Sequence, residues 1–202
     1  MRYIVRTVSW DKKRLDNVEK LKKNIFNLEV YVDYEHDGYK SFFEVCKMIN
    51  KTGAILLEDD IELCDNFCFE IESIIKEKGE DKVYNFFQSP RTYFKTSYVG
   101  GSSFFWMQCI YLPSKLPMKI ISYYNEFKKN EPKKWIGMAT DRLICFCLKK
   151  EKIKYWRIRP CLIQHLDFPS VIGRRPTNRQ SPYYIEILKK KGLNYNDLQS
   201  SK

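Results

Sequence analysis

Two hydrophobic periods alternate along the first half of the chain. Residues 3–8 form a short apolar run that predicts a strand. The next apolar residues are spaced three or four apart, which predicts a helix with one buried face: Leu15, Val18, Leu21 and Ile25. Residues 28–32 are again rich in β-formers, and after the polar turn 33–38 a second helical pattern runs through Phe42, Val45, Cys46 and Ile49. This order predicts successive strand and helix pairs.

Ala54 to Leu57 form a continuous apolar run after Gly53, which is typical of a central strand covered on both faces. We expect Asp65 to cap the next helix and Gly79 to end it. The residues of this helix that we expect to point inward are Phe69, Ile71, Ile74 and Ile75. Three consecutive acids, Glu58-Asp59-Asp60, lie between the strand and the helix.

The second half has a mixed pattern. It predicts strands at residues 82–87, 103–112 and 153–158, and helices near 117–129, 140–150 and 183–191. The predicted class is therefore α/β: one Rossmann-like domain with a central, mostly parallel mixed sheet flanked by helices. Within it we expect a C-terminal tail with a helix at 176–202.

Composition agrees with a single core, since the 202 residues are 44% hydrophobic. The sequence has neither the roughly 18 apolar residues of a membrane span nor the apolar stretch of a secretion signal, so we expect a soluble cytoplasmic protein, in host cytoplasm if a phage encodes it. Seven cysteines without a Cys-x-x-Cys pair indicate buried thiols in a reducing compartment. Structural zinc is the less favoured alternative.

The formal net charge of +11 favours anionic partners, whether nucleic acid, nucleotide phosphates or an acidic membrane surface. A solvated lysine-rich surface would explain the same number. Aromatic and basic residues are interleaved at 91–106, as expected of a surface that binds nucleic acid or an anionic glycan.

Three carboxylates directly after an apolar strand repel one another, so their position calls for a neutralising partner. A hard divalent cation, Mg²⁺ or Mn²⁺, is a natural candidate because it can bridge carboxylates and substrate phosphates. The alternative is a solvated acidic turn that leads into the following helix.

The acidic turn is one of three matching segments. Leu56 to Asp60, the pair Asp141-Arg142, and the run Pro160 to His165 followed by Ser170 and Gly173 together resemble the layout of GT-A glycosyltransferases. The resemblance covers roughly residues 1–175, with a DXD-like acidic turn and a late Gln-His. The sequence departs from the family pattern at Leu166, where a glycine is usual.

The resemblance implies a fold, a donor and a metal. It also implies a nucleotide-sugar-binding half at 1–90 and an acceptor and catalytic half at 91–175. Asp60 and His165 would bind Mn²⁺ or Mg²⁺, and Glu58 and Asp59 would face the ribose and the metal shell. The donor would be a nucleotide sugar, most simply a UDP-sugar. The remaining donor-binding positions that the resemblance implies are Arg6, Trp10, Asp33, Arg174 and Arg175.

Asp141 begins a predicted helix, where a carboxylate or Thr140 could serve as the N-cap. In inverting members of the resembled family an acid at this place deprotonates the acceptor hydroxyl, which is general-base catalysis. The favoured acceptor is DNA with hydroxymethylated bases, as in phage glucosyltransferases, with a flipped base presenting its hydroxyl. The alternative acceptor is a cell-surface saccharide such as lipopolysaccharide.

Two other classes fit a basic chain with an acid cluster. A Mg²⁺-dependent nuclease of the commonest type has a Glu-x-Lys shortly after its acid, and residues 61–64 contain no lysine. A nucleic-acid-binding module without chemistry leaves the acid cluster unexplained, because those charges would repel phosphate. Transferase activity is therefore the favoured hypothesis.

Overall fold

A computed structural model describes residues 1–49, 52–87, 96–101, 104, 107–130, 140–166, 168, 181 and 184–192. The elements of the first part are β1 (Arg2–Val8), α1 (Lys12–Asn24), β2 (Glu29–Asp33), α2 (Gly38–Ile49), β3 (Ala54–Glu58), β4 (Ile61–Leu63), α3 (Phe67–Lys78) and β5 (Val83–Asn85). Those of the second part are β6 (Ser97–Gly100), β7 (Cys109–Leu112), α4 (Leu116–Ser122), α5 (Tyr124–Asn130), α6 (Thr140–Lys150), β8 (Lys154–Arg157), β9 (Ile163–His165) and α7 (Ile185–Lys190).

Seven strands form one sheet in the order β2-β1-β3-β7-β5-β8-β6. β1 pairs in parallel with β2 and β3, and β5 pairs in parallel with β8. β7 is antiparallel to β3 and β5, and β6 is antiparallel to β8. Five strands thus run one way and two the other, which confirms the predicted mixed, mostly parallel sheet. β3 lies inside the sheet, and Ala54 to Leu57 are fully buried as expected.

Alternation along the strands produces two cores, one on each side of the sheet. Tyr3 and Val5 of β1 pack with buried residues of α1 and α3, while Ile4 packs on the opposite face with α2, α4, α5 and α6. β3 alternates likewise, with Ile55 on the first side and Leu56 on the second. Helices therefore cover both faces, and the α/β class predicted from the sequence is confirmed.

The second half differs from the prediction in three strands and one helix. Among the described residues, the strand expected at 103–112 corresponds to β7, from Cys109 to Leu112, and the Phe104 N–H donates to Gly101 O instead of to a neighbouring strand. β6 and β9 were not predicted. The helix expected near 117–129 is divided at Tyr123 into α4 and α5. The helices expected near 140–150 and 183–191 correspond to α6 and α7.

α3 begins and faces differently from the prediction. Asn66, with a left-handed φ of 56°, is its N-cap in place of Asp65. Phe67, Ile71 and Ile75 recur every four residues and set the buried stripe, so Phe69 lies on the other face and is 71% exposed. The prediction that Phe69 points inward is wrong. Gly79 ends the helix at a φ of 103°, a conformation that favours glycine.

A second sheet consists of β4 and β9 alone, paired antiparallel with Ile61 opposite His165. It joins the segment after the acidic turn to the late Gln-His, a contact that the sequence pattern did not predict. All seven cysteines are free thiols, and all except the half-buried Cys68 and Cys145 are buried. Among the helices described here, none combines the length and the apolar character needed to cross a membrane.

Candidate functional site

The carboxyl ends of β1, β2 and β3 meet at one edge of the sheet and frame an open pocket. Strand register sets Arg6 beside Glu58 and Val8 beside Asp33. The empty volume is about 510 Å³, including its open mouth. The pocket is lined by Arg6, Thr7, Val8, Trp10, Arg14, Asp33, His36, Gly38, Ser41, Glu58 and Asp59. The structure therefore brings together five of the predicted donor-binding residues: Arg6, Trp10, Asp33, Glu58 and Asp59.

Glu58, the first acid of the turn, pairs with Arg6 across neighbouring strands. Arg6 Nη2 lies 2.7 Å from Glu58 Oε1, and both side chains are largely buried. Burial raises the pKa of Glu58 to about 7, although the Arg6 cation acts in the opposite direction. The Glu58 N–H donates to Gln108 O at the start of β7, which fixes the end of β3 against its other neighbour.

Asp59 points into protein and is satisfied there. The Thr7 hydroxyl donates to its Oδ2 at 2.7 Å, and Arg14 Nη1 donates to its Oδ1. Burial raises the pKa of Asp59, and the Arg14 cation opposes that rise. Both carboxylate oxygens of Asp59 thus have a protein partner.

Asn17 holds the backbone of the acidic turn. Its Nδ2 donates to Asp59 O at 2.8 Å and to Ile61 O at 2.9 Å. Asn17 is 6% exposed, so both carbonyls are satisfied out of reach of bulk water. One side chain of α1 therefore fixes the conformation in which the turn presents Asp60.

Asp60 and His165 lie side by side, as the resemblance to glycosyltransferases implied. His165 Nε2 is 3.4 Å from Asp60 Oδ2, and the Leu166 N–H donates to Asp60 O at 2.7 Å. Leu166, the departure from the family pattern, thus continues the pairing of β9 with the turn. Arg14 Nη2 reaches the same Asp60 oxygen at 3.3 Å.

His165 is 3% exposed, and neither ring nitrogen has a hydrogen-bond partner among the described residues. A buried imidazole without such partners, beside a carboxylate, fits a site for Mn²⁺ or Mg²⁺. Within the described part of the chain, however, no three His, Cys, Asp or Glu side chains come together as a metal site. The described part of the chain would thus supply two ligands, Asp60 and His165.

An aromatic pair flanks the pocket beyond β1 and β2. The Trp10 and His36 rings stack with centroids 3.4 Å apart and an interplanar angle of 19°. Trp10 remains 39% exposed. Asp33 ends β2 close by: its backbone carbonyl accepts from the Ser9 N–H, and its Oδ1 accepts from the Glu35 N–H. This side of the pocket presents a flat apolar surface next to a carboxylate.

Asp141 lies in the first turn of α6 and is not among the residues that line the pocket. The hydroxyl of Thr140, the preceding residue, contacts Met107 Sδ at 2.6 Å. Met107 directly precedes Gln108, whose carbonyl accepts from the Glu58 N–H. This chain of contacts connects the amino end of α6 to the acidic turn. Arg174, Arg175 and most of residues 91–106 lie outside the described residues.

Two residues that hold the acidic turn were not predicted from the sequence: Arg14 and Asn17. Arg14 and Asn17 share a helical face with Val18 and Leu21 at the spacing i, i+3, i+4 and i+7. The polar character of these two positions on an otherwise apolar helical face was the signal in the sequence that could have identified them as site residues. For Gln164, the sequence suggested no role beyond its place in the Gln-His pair. Its side chain pairs with the backbone of Ser181 in both directions, at 2.7 and 3.1 Å.

Solved glycosyltransferases share this architecture. One involved in the glycosylation of the major capsid of PBCV-1 aligns with a TM-score of 0.51 and 11% identity, over 85% of this chain and 96% of its own. GlyE from Streptococcus pneumoniae TIGR4 aligns with a TM-score of 0.50 and 11% identity. That alignment covers 98% of this chain and 62% of GlyE, so the chain spans less than two thirds of GlyE.

A197 from STIV aligns at a TM-score of 0.48 and 12% identity, over 85% of this chain and 87% of A197. No family model matches the sequence, and no curated protein matches it. At such low identity the likeness defines the fold: this chain has the GT-A-like fold of the glycosyltransferases to which it is similar.

Proposed function

We propose that this protein is a glycosyltransferase that moves a sugar from a nucleoside diphosphate sugar to a hydroxyl acceptor. The observation that carries this proposal is the pairing of β4 with β9, which sets Asp60 beside His165. Asp60 directly follows Asp59, which lines the pocket at the end of β1 and β3. The GT-A-like fold supports the same assignment. A buried carboxylate and imidazole beside an open pocket suit the binding of a phosphate-bridged cation.

In the proposed complex the nucleoside lies against Trp10, with Asp33 and Glu58 as hydrogen-bond acceptors for base and ribose. The diphosphate then points towards Asp60 and His165. A divalent ion held by these two residues, Mn²⁺ or Mg²⁺, would neutralise the charge of the departing diphosphate. Arg174 and Arg175 are proposed to contribute to the same neutralisation as bidentate donors.

Asp141 is the proposed general base. Its carboxylate accepts the proton of the acceptor hydroxyl as that oxygen bonds to the anomeric carbon, and the bond from this carbon to the diphosphate oxygen breaks with its electron pair. Attack opposite to the leaving group inverts the anomeric configuration. If Asp141 only positions the acceptor, a retaining reaction is the alternative. A hexose is the simplest donor sugar.

The favoured acceptor is a hydroxymethylated base in DNA, and the net charge of +11 supports it. The base would have to leave the duplex so that its hydroxyl can reach Asp141. A saccharide acceptor is the second candidate, favoured by the similarity to a glycosyltransferase involved in capsid glycosylation. Modification of phage DNA is thus proposed as the role, and surface glycan synthesis as its alternative.

Calorimetry with UDP and MnCl₂ tests the donor and metal assignments. We expect Asp60→Ala to abolish metal-dependent UDP binding, because the variant removes one of the two proposed metal ligands. Its circular dichroism spectrum should match that of the wild type. Unchanged binding would refute the metal assignment. Incubation with Mn²⁺, a panel of nucleotide sugars and plasmid DNA separates the three classes of protein. Slow hydrolysis of a nucleotide sugar supports a transferase, and nicking of the plasmid supports a nuclease. The absence of both reactions supports a binding module.

The acceptor is tested by salt dependence. Binding of hydroxymethylated duplex DNA should weaken steeply as salt rises, because each neutralised phosphate releases condensed counterions. Transfer of a radiolabelled sugar to this DNA, and not to unmodified DNA, is the expected activity. A flat salt response together with labelling of lipopolysaccharide would favour the saccharide acceptor.

A further inference from the structure

Arg14 of α1 occupies a position between the two later acids of the turn. It is 5% exposed, donates through Nη1 to Asp59 Oδ1, and places Nη2 3.3 Å from Asp60 Oδ2. Asp11, the N-cap of α1, lies 3.6 Å from its Nε and helps to hold the guanidinium there. A fixed positive charge is thus built into the acidic turn by the protein itself.

One oxygen is shared by the cation and the candidate metal ligand. Asp60 Oδ2 lies 3.3 Å from Arg14 Nη2 and 3.4 Å from His165 Nε2. Because Mg²⁺ binds carboxylate oxygen at about 2.0–2.1 Å, an ion at this oxygen would come within a few ångströms of the guanidinium. Two positive groups at that separation repel strongly in a buried site.

Asp59 cannot relieve this repulsion while its present partners remain. Thr7 and Arg14 occupy its two oxygens, which removes the neighbouring carboxylate from the set of available ligands. Among the described residues Asp60 and His165 are the candidate ligands, and no group of three ligands forms there. A nucleoside diphosphate would bring both further oxygen ligands and the negative charge that offsets Arg14.

We propose that Arg14 couples metal binding to nucleotide binding: it weakens the metal site of the empty protein and makes tight metal binding depend on the diphosphate. This inference rests on the proposed glycosyltransferase function and concerns the same site. Coupling is reciprocal, so the metal strengthens nucleotide binding by the factor by which the nucleotide strengthens metal binding. Arg14 is a positioning residue here, acting through Asp59 and Asp60.

Manganese affinity with and without UDP tests the proposal, measured by electron paramagnetic resonance of free Mn²⁺. In the wild type, saturating UDP should tighten Mn²⁺ binding by about tenfold or more, within the usual range of coupling. Arg14→Gln should tighten Mn²⁺ binding in the absence of UDP by about tenfold, and should reduce the coupling to below about threefold. Arg14→Lys, which keeps the charge, should keep weak binding of Mn²⁺ alone.

Arg2→Gln is the matched control, because Arg2 forms an arginine–carboxylate pair at the opposite end of β1 and should leave all Mn²⁺ affinities unchanged. Unchanged Mn²⁺ affinity of Arg14→Gln without UDP would overturn the inference, while Mn²⁺-dependent UDP binding by the wild type would preserve the proposed function. If Arg14→Gln fails to fold by circular dichroism, wild-type coupling below about threefold overturns the inference. A wild type that binds neither UDP nor Mn²⁺ overturns both.

Discussion

Arg6 and Glu58 face each other on β1 and β3, with guanidinium nitrogen and carboxylate oxygen 2.7 Å apart. Arg2 makes the same type of pair with Glu29 at the other end of β1, at 2.8 Å. Burial raises the pKa of Glu58 to about 7, whereas the hydrogen bond from Arg2 lowers the pKa of the more exposed Glu29. The buried pair and the exposed pair therefore respond to pH with opposite signs.

The wild type should lose stability as pH rises, and Glu58→Gln should abolish this pH dependence. The folded protein keeps the Glu58 proton where the unfolded chain has released it, so stability falls between about pH 4.5 and about pH 7. At about 1.4 kcal/mol per pKa unit, this fall is on the order of 3 kcal/mol. Urea unfolding of wild type and variant across this range measures the difference.

Glu29→Gln is the control for that series. Because its pKa is lowered in the folded state, Glu29 adds stability as pH rises from its folded pKa towards its unfolded value of about 4.5, and this contribution is constant at higher pH. Glu29→Gln should therefore leave the slope between about pH 4.5 and about pH 7 unchanged and should alter the slope only below that range, in the opposite direction. Its contribution should be smaller, since the pair is partly exposed and screened by solvent. Parallel stability curves for the wild type and Glu58→Gln would contradict the role assigned to burial.

Asn17 gives a prediction about the stability of the acidic turn. Asn17→Ala leaves the carbonyls of Asp59 and Ile61 buried without their amide donor, which should cost about 1–3 kcal/mol of unfolding free energy. Asn24→Ala is the matched control, because Asn24 donates only to Lys20 O on the exposed side of the same helix, and it should cost below about 0.5 kcal/mol. Equal losses in urea unfolding would show that Asn17 does not support the turn.

Local patterns predicted most of the helices and strands because each has a period that its own residues display. α1, α2 and α6 follow apolar stripes, and β3 is an uninterrupted apolar run. Phe69 shows where this reasoning fails. Hydrophobicity alone assigned it to the core, but the phase of α3 is set by Phe67 and Ile71, so Phe69 faces outward.

Long-range pairing is what the sequence could not provide. The acidic turn and the Gln-His were both recognised as candidate sites, but only the β4–β9 register shows that Ile61 lies opposite His165. The cation expected at the turn was assigned to a metal, whereas Arg14 already supplies one positive charge there. Charge balance at a strand end therefore predicts that a counter-charge exists, without predicting which residue or ion provides it.

The exposed face of Trp10 should contribute to nucleotide affinity. Stacking of a base on an aromatic side chain is worth about 1–3 kcal/mol, so Trp10→Ala should weaken UDP binding by about tenfold or more. Trp10→Phe should retain most of the affinity. Phe26→Ala, an exposed aromatic change outside the pocket, is the control and should have no effect. If calorimetry gives the same UDP affinity for Trp10→Ala and the wild type, Trp10 is not part of the donor site.

Asp141 can be separated from the donor site by comparing turnover with binding. Asp141→Asn keeps the size of the side chain but removes the proton acceptor, so sugar transfer should slow by about 10²- to 10⁴-fold while UDP affinity stays unchanged. Glu126→Gln is the matched control, because Glu126 pairs with Lys150 at the far end of α6 and should keep full activity. Single-turnover transfer and calorimetry give the two readouts. A joint loss of binding and turnover would instead make Asp141 part of the donor site, and unaltered turnover would exclude it as the base.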